Sequence, residues 1–166
     1  MIWKLSGYDV LIDEDDYERL KRYKYSIASA AVKKYSLFYF QRNTYVDGIR
    51  TVAMLHRDIM GCIKGDGNVV DHINRDTLDC RKANLRICSN AENSRNRKAS
   101  KKSTSGIKGV SWSKHSDKWQ AQITVDSNHI HLGFFYNIEE AAKAYEVASK
   151  KYHGEFGFCR YRVRDY

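Results

Sequence analysis

Residues 69–97 read Val69-Val70-Asp71-His72-Ile73-Asn74-Arg75-Asp76-Thr77-Leu78-Asp79-Cys80-Arg81-Lys82-Ala83-Asn84-Leu85-Arg86-Ile87-Cys88-Ser89-Asn90-Ala91-Glu92-Asn93-Ser94-Arg95-Asn96-Arg97. Two short apolar runs, Val69-Val70 and Leu85–Cys88, flank a polar loop from Asn74 to Lys82 and predict a β-hairpin. Ser89 with Glu92 three residues on is a capping box, which predicts a helix from Asn90 into Lys98. Neighbours on a regular strand point to opposite faces, so Asp71 and His72 can address one substrate only if the strand ends there; the polar loop predicts that it does. On the helix, Asn93, Asn96 and Arg97 lie three and four residues apart and share a face. A histidine able to take a proton from water, oxygen donors for a hard cation and a basic helix thus fall within thirty residues. That set suits phosphodiester hydrolysis.

The net charge of +9 is uneven: residues 67–105 carry nine basic against four acidic side chains, or +5, and the flanking segments +2 each. A basic excess beside such a site favours a polyanionic partner, because each neutralised phosphate releases counterions without any need for sequence recognition. The opening, Met1–Gly7, is too short and polar for a signal peptide, and no apolar run approaches the roughly 18 residues of a membrane span. The expectation is a soluble, cytoplasmic protein that is not secreted and has no membrane partner. Cys62, Cys80, Cys88 and Cys159 form no Cys-x-x-Cys pair, so they read as reduced thiols rather than zinc ligands or a disulfide framework.

Upstream, Tyr8–Ile12 reads as a strand, and Asp13–Asp16 supply a cap and first-turn acids to a helix ending near Lys21, a structural role. Tyr25–Ala31, Ser36–Arg42 and Ile49–Ala53, divided by Lys33-Lys34 and Asp47-Gly48, predict a small antiparallel sheet whose polar side either follows a DNA backbone or is simply solvated. Met54–Gly61 reads as a short glycine-closed helix, with His56 either touching substrate or capping a strand end.

Downstream, Ser94–Ser105 has no apolar residue larger than alanine. Its second half reads as an extended basic strap along a groove, or as a tether. From Gly106 the period becomes two. Val110, Trp112, Trp119, Ala121, Ile123, Ile130 and Leu132 fall on one face, and Ser111, Ser113, Gln120, Gln122, Thr124, His129 and His131 on the other. Asn137 with Glu140 starts a helix carrying Ala141, Ala144, Tyr145, Ala148 and Tyr152 at helical spacing. The fold class is α+β. Residues 1–66 form a small antiparallel β region, 67–98 a strand–strand–helix motif, 99–105 a basic linker, 106–157 a three-stranded sheet packed on one helix, and 158–166 a tail.

Asp71-His72, Asn84-Leu85-Arg86 and Asn90-Ala91-Glu92-Asn93-x-x-Asn96 resemble the HNH endonuclease motif, in the form found in phage and intron homing enzymes where asparagine replaces the last histidine. The spacing agrees, with twelve residues from His72 to Asn84 and nine from Asn84 to Asn93. The resemblance implies a ββα-metal nuclease. Asp71 and Asn93 would hold one Mg2+, or Mn2+ in its place. His72 would act as general base, Asn84 would brace the loop and orient His72, and Arg86 and Arg97 would clamp phosphate. Arg95, Asn96, Lys98, Lys101 and Lys102 extend the DNA-facing set.

The carboxy-terminal segment is similar to the apetala-two type DNA-binding domain, through Gly109-Val110, Lys118-Trp119, Leu132-Gly133 and Glu139-Glu140-Ala141-Ala142-x-Ala144-Tyr145. That resemblance implies base contacts from Lys108, Ser111, Ser113, Gln122, Thr124, His129 and His131. The expectation is a site-specific homing endonuclease, acting on double-stranded DNA as a nicking monomer with no small-molecule cofactor. The alternatives are a non-catalytic DNA-binding regulator with a degenerate motif, and an RNA-directed nuclease. A sheet face with few exposed aromatics disfavours the latter.

Overall fold

The computed structural model describes residues 1–28, 38–100 and 103–157; Lys33-Lys34, Lys101, Lys102, Cys159 and the 158–166 tail lie outside the described residues. The elements belong to two compact units, the first spanning Met1–Asn90 and the second beginning at Ala91.

In the first unit, β1 (Ile2–Leu5) and β2 (Tyr8–Leu11) pair antiparallel across Ser6-Gly7, both at positive φ, as a two-residue hairpin turn requires. β1 was not among the expected strands; four residues before a Ser-Gly turn give little period to read. Helix α1 (Glu14–Leu20) follows with three acids in its first turn. Asp13 does not cap it with its side chain: the carboxylate accepts from the Lys82 backbone N–H at 2.7 Å. Asp16 is buried against Arg19 and Lys82, at 2.6 and 3.0 Å, so the acidic run is structural. A three-stranded sheet of β3 (Ser26–Ile27), β4 (Phe40–Val46) and β5 (Ile49–Met54) turns at Asp47-Gly48 and leads into α2 (Leu55–Ile59).

The hairpin of β6 (Val69–His72) and β7 (Leu85–Cys88) is joined through a 3-10 turn at Lys82–Asn84. Its apolar side is continuous with the upstream region. Val10, Ile12, Leu20, Phe40 and Leu55 form one buried cluster with Val70 and Leu85. Residues 1–66 and the hairpin therefore share a core, and backbone bonds from Leu11 to Leu78 and from Cys80 to Leu11, both 2.8 Å, stitch β2 to the connecting loop.

Helix α3 (Asn90–Asn96) stops two residues short of the expected end. In the second unit, β8 (Val110–Ser113), β9 (Lys118–Val125) and β10 (Asn128–Phe135) form an antiparallel sheet in the order β10-β9-β8, and α4 (Ile138–His153) packs on one face. Asn137 caps α4 by accepting from the Glu139 N–H at 2.8 Å. Val110, Ala121, Ile123, Ala141, Tyr145 and Ala148 make the core. Two residues depart from the expected inward set. Trp112 packs edge-on against its cross-strand partner Trp119 at 5.1 Å but stays 42% exposed on an edge strand, and Tyr152 is exposed in the last turn of α4, where His153 is buried instead.

At Gly109, with φ +72°, an added Cβ would fall 2.1 Å from the Tyr145 ring and 2.6 Å from the Gln122 carbonyl oxygen. Gly109→Ala is therefore expected to destabilise the protein by about 2–4 kcal/mol, combining left-handed strain with overpacking. A denaturant midpoint unchanged from wild type would refute this.

Candidate active site

The geometry starts from the register of the central hairpin. Asp71 sits directly opposite Arg86 and His72 opposite Leu85, so the carboxylate and the guanidinium meet across the strands. Arg86 donates to Asp71 Oδ2 from Nε at 3.0 Å and from Nη2 at 2.7 Å, and both residues are buried. Arg86 was expected to clamp phosphate; here the residue is 9% exposed and its guanidinium engages Asp71.

His72 closes β6 and is 4% exposed. Its Nε2 lies 3.8 Å from Cys80 Sγ, and its ring centroid is 5.2 Å from His56 and 6.1 Å from Tyr39. Burial pushes His72 down to about 4, against the opposing pull of Asp71, Asp76 and Asp79, so the imidazole is neutral at pH 7. Burial, the His72 ring and Arg57 push His56 down to about 3. Burial pushes the Cys80 thiol up to about 12, with Asp79 and Asp76 adding to the rise.

Asn84 ties the loop closed at three points. Its Oδ1 accepts from the Asn74 N–H at 2.9 Å, its Nδ2 donates to the Asp79 carbonyl at 2.7 Å, and its own carbonyl accepts from the Ile73 N–H at 2.8 Å. Within the loop, Asp79 takes both arms of Arg81 at 2.8 Å and the Asn74 amide at 3.0 Å. Burial alone would raise Asp79, but these donors outweigh it and hold the carboxyl below the usual range. The residue following His72 is thus fixed through its backbone to Asn84. Asn74, Asp79 and Arg81 were not singled out in the sequence; Asn and Asp at close intervals in a polar loop are the signal, since such side chains bond the backbone two residues on.

Asn93 is half-buried on α3, Arg95, Arg97 and Lys98 are partly or fully exposed, and Asn96 is 1% exposed, which removes it from the surface set. Lys108 is also engaged: its Nζ donates to the carbonyls of Ser94 and Arg95, at 3.0 and 2.8 Å, at the negative end of α3. On the carboxy-terminal sheet, Ser111, Gln122, Thr124, His129 and His131 are exposed and Ser113 is half-buried.

Among the described residues no group of three His, Cys, Asp or Glu is arranged to hold a metal. The donors implied by the motif, a carboxylate at Asp71 and an amide at Asn93, are both hard oxygens. Two hard oxygen donors suit a hard divalent cation rather than a thiophilic one.

A buried, braced β-hairpin thus carries Asp71 and His72 at the end of β6, and the short helix α3, which bears Asn93, follows it in the chain. A family model described as HNH endonuclease matches residues 55–95, starting at Leu55 on α2 rather than at residue 67 and so including His56. Protein 3.8 of Escherichia phage T7 is 34% identical over 94 residues, which cover 57% of this chain and 77% of that protein. The chain belongs to the family of that phage protein and carries an HNH endonuclease domain across residues 55–95. No solved structure matches it significantly. Among the described residues, no helix is long and apolar enough to cross a membrane.

Proposed function

We propose that the protein is a site-specific DNA endonuclease of the homing type that hydrolyses one phosphodiester bond per visit and nicks as a monomer in the host cytoplasm. The observation that carries this reading is the HNH match itself, which spans Asp71, His72, Asn84 and Asn93 together. His72, neutral at pH 7, takes the proton from the attacking water. Asn84 is the positioning residue: by closing the loop after β6 it fixes the backbone that carries His72. Asp71 and Asn93 are the residues that would hold Mg2+, with Mn2+ able to substitute, and a divalent cation there would supply positive charge against the scissile phosphate. Arg95, Arg97 and Lys98, with Lys101 and Lys102, follow the backbone. The carboxy-terminal sheet, read as an apetala-two type module, selects the sequence.

The runner-up is a DNA-binding regulator that keeps the fold of the motif and not its chemistry. Supercoiled plasmid incubated with Mg2+, with Mn2+ and with a chelator separates the two. Open-circular product with either metal and none with chelator is expected. Retention of DNA in a mobility shift with no nicking under any metal would establish the regulator.

A further inference from the structure

Strict alternation along β10 would continue Ile130 and Leu132 on the helix-packed face to residue 134. The pairing with β9 breaks that rule. His131 is opposite Gln122, but the next pair is Gly133 with Ala121, so Leu132 is an extra, unpaired residue. This β-bulge reverses the faces beyond it. Gly133 and Phe135 join Ala121 and Trp119 on the helix side, while Phe134 lies opposite Gln120 on the other face, 45% exposed. Gly133 sits at φ +136°, a backbone conformation that side chains rarely adopt.

Phe134 is not alone there. Its ring centroid is 4.7 Å from that of His131, and Gln120 Nε2 is 3.3 Å from His131 Nδ1. An amide nitrogen only donates, so this contact matches the His131 tautomer that carries its N–H on the outward Nε2. One exposed N–H donor and one exposed apolar ring therefore stand side by side, in rows with Gln122, Thr124 and His129 and no carboxylate.

We propose that His131 and Phe134 form a reader of thymine in the major groove, His131 donating to O4 and Phe134 covering the C5-methyl group. Thymine alone presents an acceptor beside a methyl on that edge. Cytosine offers a donor where O4 would be and has no methyl. A basic protein with an acid-free strip of donors, acceptors and one apolar ring suits duplex DNA as its occupant. The inference deepens the sequence-selecting role given above to this sheet and rests on that role.

The test uses the full-length protein and a randomised duplex library, with binding measured in Ca2+ to suppress cleavage. Wild type is expected to enrich a site with a fixed T·A pair that becomes degenerate with Phe134→Ala and survives with Phe134→Leu, other positions being unchanged. In the enriched duplex, replacing that thymine by uracil removes only the methyl. It should weaken wild-type binding about fourfold, the equivalent of one buried methyl, and leave Phe134→Ala indifferent. Failure of wild type to enrich any sequence overturns the sheet's reading role and this inference together. Enrichment that is identical for wild type and Phe134→Ala, or equal wild-type affinity for thymine and uracil, overturns the thymine reader while leaving the reading role intact.

Discussion

His72→Ala is expected to lower plasmid nicking by about three orders of magnitude, within the 10²–10⁴-fold range of a lost general base, while DNA affinity stays within roughly twofold because phosphate contacts dominate it. The ring is buried against Cys80, His56 and Tyr39, so the truncation also opens a cavity and costs about 2 kcal/mol of stability. His72→Asn separates the two effects. It keeps a polar group of intermediate size and most of the packing, yet cannot take a proton near neutral pH, so it should fold close to wild type and nick as poorly as the alanine variant. Initial rates of open-circle formation, read beside thermal melts of all three proteins, decide the matter. Nicking by a folded His72→Asn protein at a tenth of the wild-type rate or more would exclude His72 as the base.

Much of this site is legible in residues 69–97 because its parts are local. Two apolar runs around a polar loop specify the hairpin, and a capping box starts the helix. Asn84 reads as a loop-closing amide from its place at the foot of β7, and its bonds to Asn74 and Asp79 are of that kind. What escaped is non-local or depends on register. His56 is 16 positions from His72 in the chain, and only the shared core of residues 1–66 with the hairpin brings α2 under β6. The bulge at Leu132 adds one residue without disturbing the composition of β10, so a period-two count passes over it; Gly133 in mid-strand is the only local sign. Asn96 was placed on the surface from helical spacing with Asn93, and spacing cannot tell which side of a short helix the rest of the chain covers.

Arg86 is the position where sequence and structure give opposite mutational outcomes. As a phosphate clamp, its loss would leave stability unchanged, weaken DNA binding across all sequences and reduce the salt slope by about one. As found, the guanidinium places two donors on a buried carboxylate. Arg86→Ala then strands the Asp71 charge in the interior and is expected to cost about 3–5 kcal/mol. Replacing the pair together, as Asp71→Asn with Arg86→Met, removes both charges and should recover most of that loss while still abolishing nicking, since Asp71 is assigned to the cation. Denaturant midpoints for the single and double variants give the coupling directly. An Arg86→Ala protein that unfolds at the wild-type midpoint but binds DNA more weakly would restore the clamp. The expected result instead makes Arg86 a positioning residue, whose Nε and Nη2 donors hold Asp71 Oδ2 across the strands and fix the carboxylate inside the fold.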